Sequence, residues 1–258
     1  MNNTNEQKTT NINCVEGCSH NCRYCYGRLS AVERFKRMNR EDRKNMQVRE
    51  GEVEKGRGKR KNLVRFPSTH DITPEVLEPC LTVLGKLIDA GNEVIIVSKP
   101  HKESIEAICE KFQAHRQHLR FRFSIGAMDN TLLAYWEPGA PTFEERLKSL
   151  KLAQAQGFET KMQIDPMFDP EHAVNLFYAL EPYVTGDIQI GGARKIRSWV
   201  RPQNDDEELK KEELCAQLTD EKLLPIYQAL KDEPKVRWTK EYDKVAEISM
   251  RMLQTYQQ

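Results

Sequence analysis

The sequence predicts an α/β chain whose parallel strands are covered by helices. Three observations predict it. Short apolar runs rich in β-branched and aromatic residues alternate with segments of helical period. Glycines such as Gly91 and Gly157 stand where helical segments end and strands are about to begin. The 258 residues leave room for about six such units and a further helical stretch.

The elements follow in order. Residues 9–13 read as a first strand and 29–46 as a first helix. Residues 62–66 are a second strand, on Leu63, Val64 and Phe66. In 74–90, Leu77, Leu81, Leu84 and Ile88 fall on one helical stripe, and Gly91 supplies the stop. Val94, Ile95, Ile96 and Val97 are contiguous and mostly β-branched, as in a strand buried on both faces. Residues 101–115 are helical on Ile105, Ile108 and Phe112. In 119–125, Phe121 and Phe123 alternate with Arg120 and Arg122, the period of a strand. Residues 142–156 are helical on Phe143, Leu147 and Leu150, 158–164 a strand, 170–183 a helix and 187–190 a short strand. The stretch 205–258 reads as purely helical, with stripes at Leu223, Ile226, Tyr227 and Leu230 and at Tyr242, Val245, Ile248 and Met252. Repeated βα units with right-handed crossovers build a parallel sheet. Six of them make an open sheet or a partial barrel, since a closed eight-unit barrel takes about 250 residues by itself.

Composition sets limits on function. Hydrophobic residues are 38% and charged residues 31%, which excludes collagen, low-complexity disorder and a membrane protein. No run approaches the roughly 18 apolar residues of a membrane span. Residues 1–11 are polar, without an apolar signal core, so a cytoplasmic location is expected. Lys and Arg total 40 and Asp and Glu 39, yet the balance is local. Residues 28–65 carry 14 basic and 6 acidic side chains, net +8; residues 66–258 carry 24 and 31, net −7. The run 55–61 is dense in Lys and Arg, but it connects the first helix to the second strand and belongs to the bottom of a βα fold, where a solvated loop is the ordinary reading. Arg34, Arg37, Arg40 and Lys44 are the better polyanion contact.

Four of the seven cysteines, Cys14, Cys18, Cys22 and Cys25, fall within twelve residues, while Cys80, Cys109 and Cys215 are scattered. An odd count in a reducing compartment argues against a disulfide framework and for a metal or cluster site. Cys18, Cys22 and Cys25 form C-x3-C-x2-C. Three thiolates on one tight loop suit three irons of a [4Fe-4S] cluster and leave the fourth iron open. The other reading is a zinc knuckle of all four cysteines, although structural zinc sites usually use two short pairs around a longer loop. Cys14 reads as a strand-end residue, a spare thiol or a redox partner.

The stretch from Gly17 to Arg28, GCSHNCRYCYGR, resembles the radical S-adenosylmethionine (SAM) superfamily, with Tyr24 as the aromatic before the last Cys. It is most similar to the branch related to spore photoproduct lyase, which favours G-C-x-H-x-C-x-Y-C-Y-x-R. The resemblance continues at Ser68-Thr69-His70-Asp71, at Ser98-Lys99, at Ser124-Ile125, and at Glu137-Pro138-Gly139-Ala140-Pro141 followed by Arg146. It covers about residues 9–170. One departure stands out: 65–70 holds no cysteine, where that branch keeps a hydrogen donor, so photoproduct repair is not implied.

The resemblance implies a partial (β/α)6 barrel of parallel strands; together with the element pattern, residues 1–200 are expected to form it and residues 201–258 a helical C-terminal extension packed on it. It implies a [4Fe-4S] cluster on Cys18, Cys22 and Cys25, and S-adenosylmethionine bound to the open iron beside Tyr24, Ser68, Lys99 and Ser124. It implies reductive cleavage of SAM to methionine and a 5′-deoxyadenosyl radical, hydrogen abstraction from substrate, and an electron donor of flavodoxin or ferredoxin type. A nucleotide or nucleic-acid substrate is expected from the branch and the basic segment. The alternatives are a radical SAM enzyme acting on a peptide, protein or small metabolite, and a zinc-stabilised nucleic-acid-binding module. Trp136, in a loop, is a candidate to stack on substrate, and Gln163, Asp165 and Gln189, at or near strand ends, are candidates to meet it.

Overall fold

The computed structural model describes residues 8–193 and 195–255. Seven strands form one parallel sheet in chain order: β1 (Thr9–Asn11), β2 (Leu63–Arg65), β3 (Val94–Ser98), β4 (Leu119–Ser124), β5 (Glu159–Ile164), β6 (Ile188–Ile190) and β7 (Val236–Trp238). Sequential order with every neighbour parallel is the signature of a βα half-barrel. The helices between strands are α1 (Leu77–Asp89), α2 (Lys102–Lys111), α3 (Asn130–Trp136), α4 (Phe143–Ala155) and α5 (Ala173–Leu180); α6 (Asp205–Gln217), α7 (Asp220–Leu230) and α8 (Asp243–Thr255) follow.

Strand alternation sorts side chains into two environments. Leu119, Phe121 and Phe123 of β4 are fully buried under the helices, with Ile96 of β3 and Met162 of β5 beside them. The other face is charged. Arg120 pairs with Glu93 and Glu159, Lys161 with Glu159 and Asp187, and Arg122 with Asp187. In register above this ladder stand Ser124, Gln163 and Gln189, which bring polar side chains to the C-terminal rim. Opposite charges on adjacent strands hold the register while leaving the rim free for other work.

Two expectations are corrected. Residues 29–46 are not one helix. They break into a π-helical turn (Leu29–Arg34), a bend with Lys36 at φ 49° and a 3-10 turn (Glu41–Lys44), and lead into a strand just beyond (Gln47–Val48) antiparallel to Val15–Glu16. The reason is local: Arg43 is buried and donates to the carbonyl of Thr69, and Cys18 N donates to the carbonyl of Arg43, so the segment is pinned to its neighbours instead of to its own helix. The stretch 205–255 is not purely helical either, because Val236–Trp238 adds β7 beside β6, with Val236 facing Ile188. Three residues carry too little period to be separated from a helical stripe by pattern alone. The basic run 55–61 lies against Gly91 and Asn92, just before β3, at the bottom of the sheet.

Candidate functional site

The cysteine motif lies on the loop after β1, shaped by turns at Cys18–Asn21 and Cys22–Cys25, each closed by a 3.2 Å backbone hydrogen bond. Asn21 takes a left-handed φ of 47°, and Gly17 stands at φ 93° where a Cβ would sit 1.9 Å from the carbonyl oxygen of Asn45. Gly139 closes the loop from outside. Its amide donates to the carbonyl of His20 at 3.0 Å, and a Cβ there would lie 2.1 Å from the carbonyl oxygen of Ser19. Only glycine permits both approaches.

Beneath the loop is a cavity of about 400 Å³ at the C-terminal ends of the strands. Its walls include Cys18, Cys22 and Cys25, then Tyr24, Ser68, Lys99 and Ser124, and farther along Gln163, Asp165 and Gln189. The structure therefore brings together all but one of the residues expected to meet cluster, SAM or substrate, whereas Cys14, Arg34, Arg37, Arg40 and Lys44 are not on this wall. The exception is Trp136, which is 3% exposed, stacked on Phe168 at 5.7 Å, and absent from the cavity wall. It is the last residue of α3 and packs inward, a core role rather than a substrate contact.

The donor set fits the cysteine ligation that iron–sulfur clusters use. Three thiols from one loop border one space, and Arg28 N points at the sulfur of Cys25 at 3.4 Å. Among the described residues no three His, Cys, Asp or Glu side chains converge to hold one metal ion. Cys14 is directed elsewhere, its sulfur 3.8 Å from that of buried Cys80, so the four-cysteine zinc knuckle does not assemble. Burial, followed by the nearby Asp71 carboxylate, pushes the Cys18 thiol up to about 11, and burial raises Cys22 as well. A cationic metal centre is the partner that would hold such buried sulfurs as thiolates.

Two buried carboxylates organise the wall. Asp71 accepts from the hydroxyl of Ser98 and, at 3.1 Å, from the amide of Lys99, and it lies 3.1 Å from His20 Nδ1. The other ring nitrogen of His20 meets His101 at 2.8 Å. Burial alone would raise Asp71, but His20 and then Lys99 hold it below the usual carboxylate range. Glu137 accepts from the hydroxyl of Tyr24, pairs with Arg146 at 2.6 Å and lies 3.8 Å from Lys99 Nζ. Burial would lower Lys99, yet Cys22, Glu137 and Asp71 keep it above its ordinary value, so it stays an ammonium facing the cavity. Ser68 is fixed separately, its hydroxyl accepting from Asn13 Nδ2 at 2.8 Å and its amide donating to Asn13 Oδ1 at 2.7 Å.

At the far end Asp165 is pushed up to about 6 by burial and then by Glu241, which accepts from the amide of Gly192 at 2.7 Å. Tyr26 and Trp199 stand with rings 5.4 Å apart, and Lys195 Nζ lies 5.4 Å from the Trp199 ring. Sequence reasoning assigned no role to Asp71, Tyr26, Lys195, Trp199 or Glu241. The signal for Asp71 was present in its polar turn; Lys195, Trp199 and Glu241 reach the cavity only through the fold.

A family model described as the Radical SAM superfamily matches residues 12–175. No curated protein sequence matches the chain. Among solved structures, a spore photoproduct lyase mutant with bound AdoMet and dinucleoside spore photoproduct superposes with a TM-score of 0.54. It is 14% identical over 92% of this chain and 80% of that one. A second mutant of that lyase gives 0.50 at 15% identity, with the same coverages. At such identities the likeness is one of fold.

Proposed function

The chain belongs to the radical SAM superfamily, is an enzyme of that class, and on that premise we propose a specific chemistry: reductive cleavage of S-adenosylmethionine at a [4Fe-4S] cluster and hydrogen abstraction from a nucleotide or nucleic-acid substrate. The observation that carries the reading is the shared cavity, in which Cys18, Cys22 and Cys25 stand on one wall with Tyr24, Ser68, Lys99 and Ser124 around the same space. When bound, the cluster and SAM supply the electron and the hydrogen-abstracting group, with a flavodoxin or ferredoxin type of protein as reductant.

The chain's own residues supply position. Cys18, Cys22 and Cys25 would hold three irons. Lys99 offers ammonium N–H groups to a carboxylate, because its ion-pair partner Glu137 is at 3.8 Å, outside hydrogen-bond distance. Ser124 and Ser68 place hydroxyls on the same wall, and Tyr24 presents a ring for stacking. Gln163, Asp165 and Gln189 meet the substrate, with the Tyr26 and Trp199 rings and Lys195 suited to a planar, anionic partner. The carboxyls of Asp165 and Glu241, on the wall of the same cavity, favour a second reading, in which a peptide or small metabolite offers N–H donors there.

Anaerobic reconstitution with iron and sulfide tests the reading. About four irons per chain, a broad band near roughly 400 nm and dithionite-dependent 5′-deoxyadenosine are expected. Cys22→Ala should remove cluster and turnover together; retained turnover refutes the ligand assignment. Deuterium moving from a labelled nucleotide, peptide or metabolite into 5′-deoxyadenosine selects the substrate class.

A further inference from the structure

We propose that Glu137, fixed by Arg146, is a positioning residue that sets Lys99 and Tyr24 toward S-adenosylmethionine, an inference that rests on the SAM reading above. Glu137 is 1% exposed and the Arg146 side chain 0% exposed. A fully buried ion pair is a poor device for stability, because desolvating two charges costs about as much as their attraction returns, and apolar replacements are often neutral or better. A pair of this kind at the cavity wall calls for another account, and the contacts give one.

Three of the four residues expected to touch SAM are tied to this pair. Tyr24 spends its hydroxyl proton on Glu137, which fixes the ring against Phe168 at 5.4 Å. Lys99 Nζ is drawn to Glu137 Oε1 without a hydrogen bond, which keeps its N–H groups for a ligand. Arg146 donates to the carbonyl oxygens of Pro141 at 2.8 Å and Ser124 at 3.2 Å, binding the end of β4 to the same pair. One carboxylate shared by two cations leaves positive charge on the wall where a carboxylate would bind. Ser68, anchored through Asn13, stands outside the arrangement and serves as an internal control.

The test is a double-mutant cycle on the reconstituted holoenzyme, read as the SAM dissociation constant, the cluster's electron paramagnetic resonance response to SAM, and thermal unfolding. Glu137→Gln keeps the shape and removes the charge. It should fold, load iron normally, weaken SAM binding roughly ten-fold or more, and raise KM more than it lowers kcat. Lys99→Met should weaken binding comparably, and in that background Glu137→Gln should add little. Glu137→Asp, which keeps the charge, should recover part of the loss. If Glu137→Gln fails to fold, the same cycle is read with Glu137→Asp. Unchanged SAM affinity in the folded variant, or fully additive losses, overturns the positioning role. A wild-type holoenzyme with full iron that does not bind SAM overturns the SAM reading and this inference with it.

Discussion

Asp165 shows how one residue links the site to stability. Its carboxyl titrates at about 6 in the folded chain, pushed up by burial and by Glu241, against roughly 3.9 when unfolded. Between those values the folded chain holds the extra proton, so the contribution of this carboxyl to stability is greatest at low pH and falls as pH rises through about 4 to about 6. The whole shift is worth at most about 3 kcal/mol. Urea unfolding across that window should show Asp165→Asn losing less stability than wild type as pH rises; parallel curves would remove the raised value. Single residues were unevenly legible in the sequence. The cysteine spacing set three candidate ligands apart from Cys14, but nothing local showed that Cys14 meets Cys80, 66 residues away. Trp136 is a related case, since its stacking partner, Phe168, lies beyond the next helix and strand and leaves no local pattern.

At the scale of elements, strands and long helices were legible because burial repeats with a period of two or of 3.6 residues along them. The loop elements were not. The cysteine loop is held by Gly139 on the segment between α3 and α4, by Asn45 against Gly17, and by Arg43 against Cys18. These contacts join distant segments and leave no periodic trace, which is why 29–46 was read as one helix. They also make a prediction. Gly139→Ala would force a methyl group against the carbonyl of Ser19, 2.1 Å from the ideal Cβ position. The loop must shift while sheet and helices stay, so circular dichroism should match wild type and bound iron after reconstitution should fall. Full iron loading in a folded Gly139→Ala would show that the loop's close approach is dispensable.

Over the whole molecule, charge separates. The +8 of residues 28–65 divides between two ends of the sheet: the run 55–61 at the bottom, and Arg34, Lys36 and Arg37 exposed just beyond the cysteine loop. There the Arg34 and Arg37 guanidinium groups stand 5.3 and 4.8 Å from the ring of Phe35, itself 51% exposed. The same segment meets the chain that follows Trp199, through Arg40 donating to the Arg201 carbonyl and Glu33 beside the Arg201 guanidinium. A cationic, aromatic surface thus adjoins the Tyr26 and Trp199 end of the cavity, while the rest of the chain is net acidic and repels a polyanion. A single-stranded oligonucleotide should therefore bind on this side, with affinity falling linearly in the logarithm of salt concentration. Arg34→Ala with Arg37→Ala should reduce that slope by roughly 1.4, about 0.7 for each phosphate contact to a single strand. Phe35→Ala should weaken binding by about 1–3 kcal/mol with the slope unchanged, since stacking releases no counterion. Charge reversal within 55–61 should leave affinity near wild type, because that run lies at the far end of the strands. If the 55–61 variants weaken binding as much as the Arg34 and Arg37 pair, the surface beside the cavity is not the one that selects the substrate, and the peptide or metabolite reading becomes the better account of the Asp165 and Glu241 end.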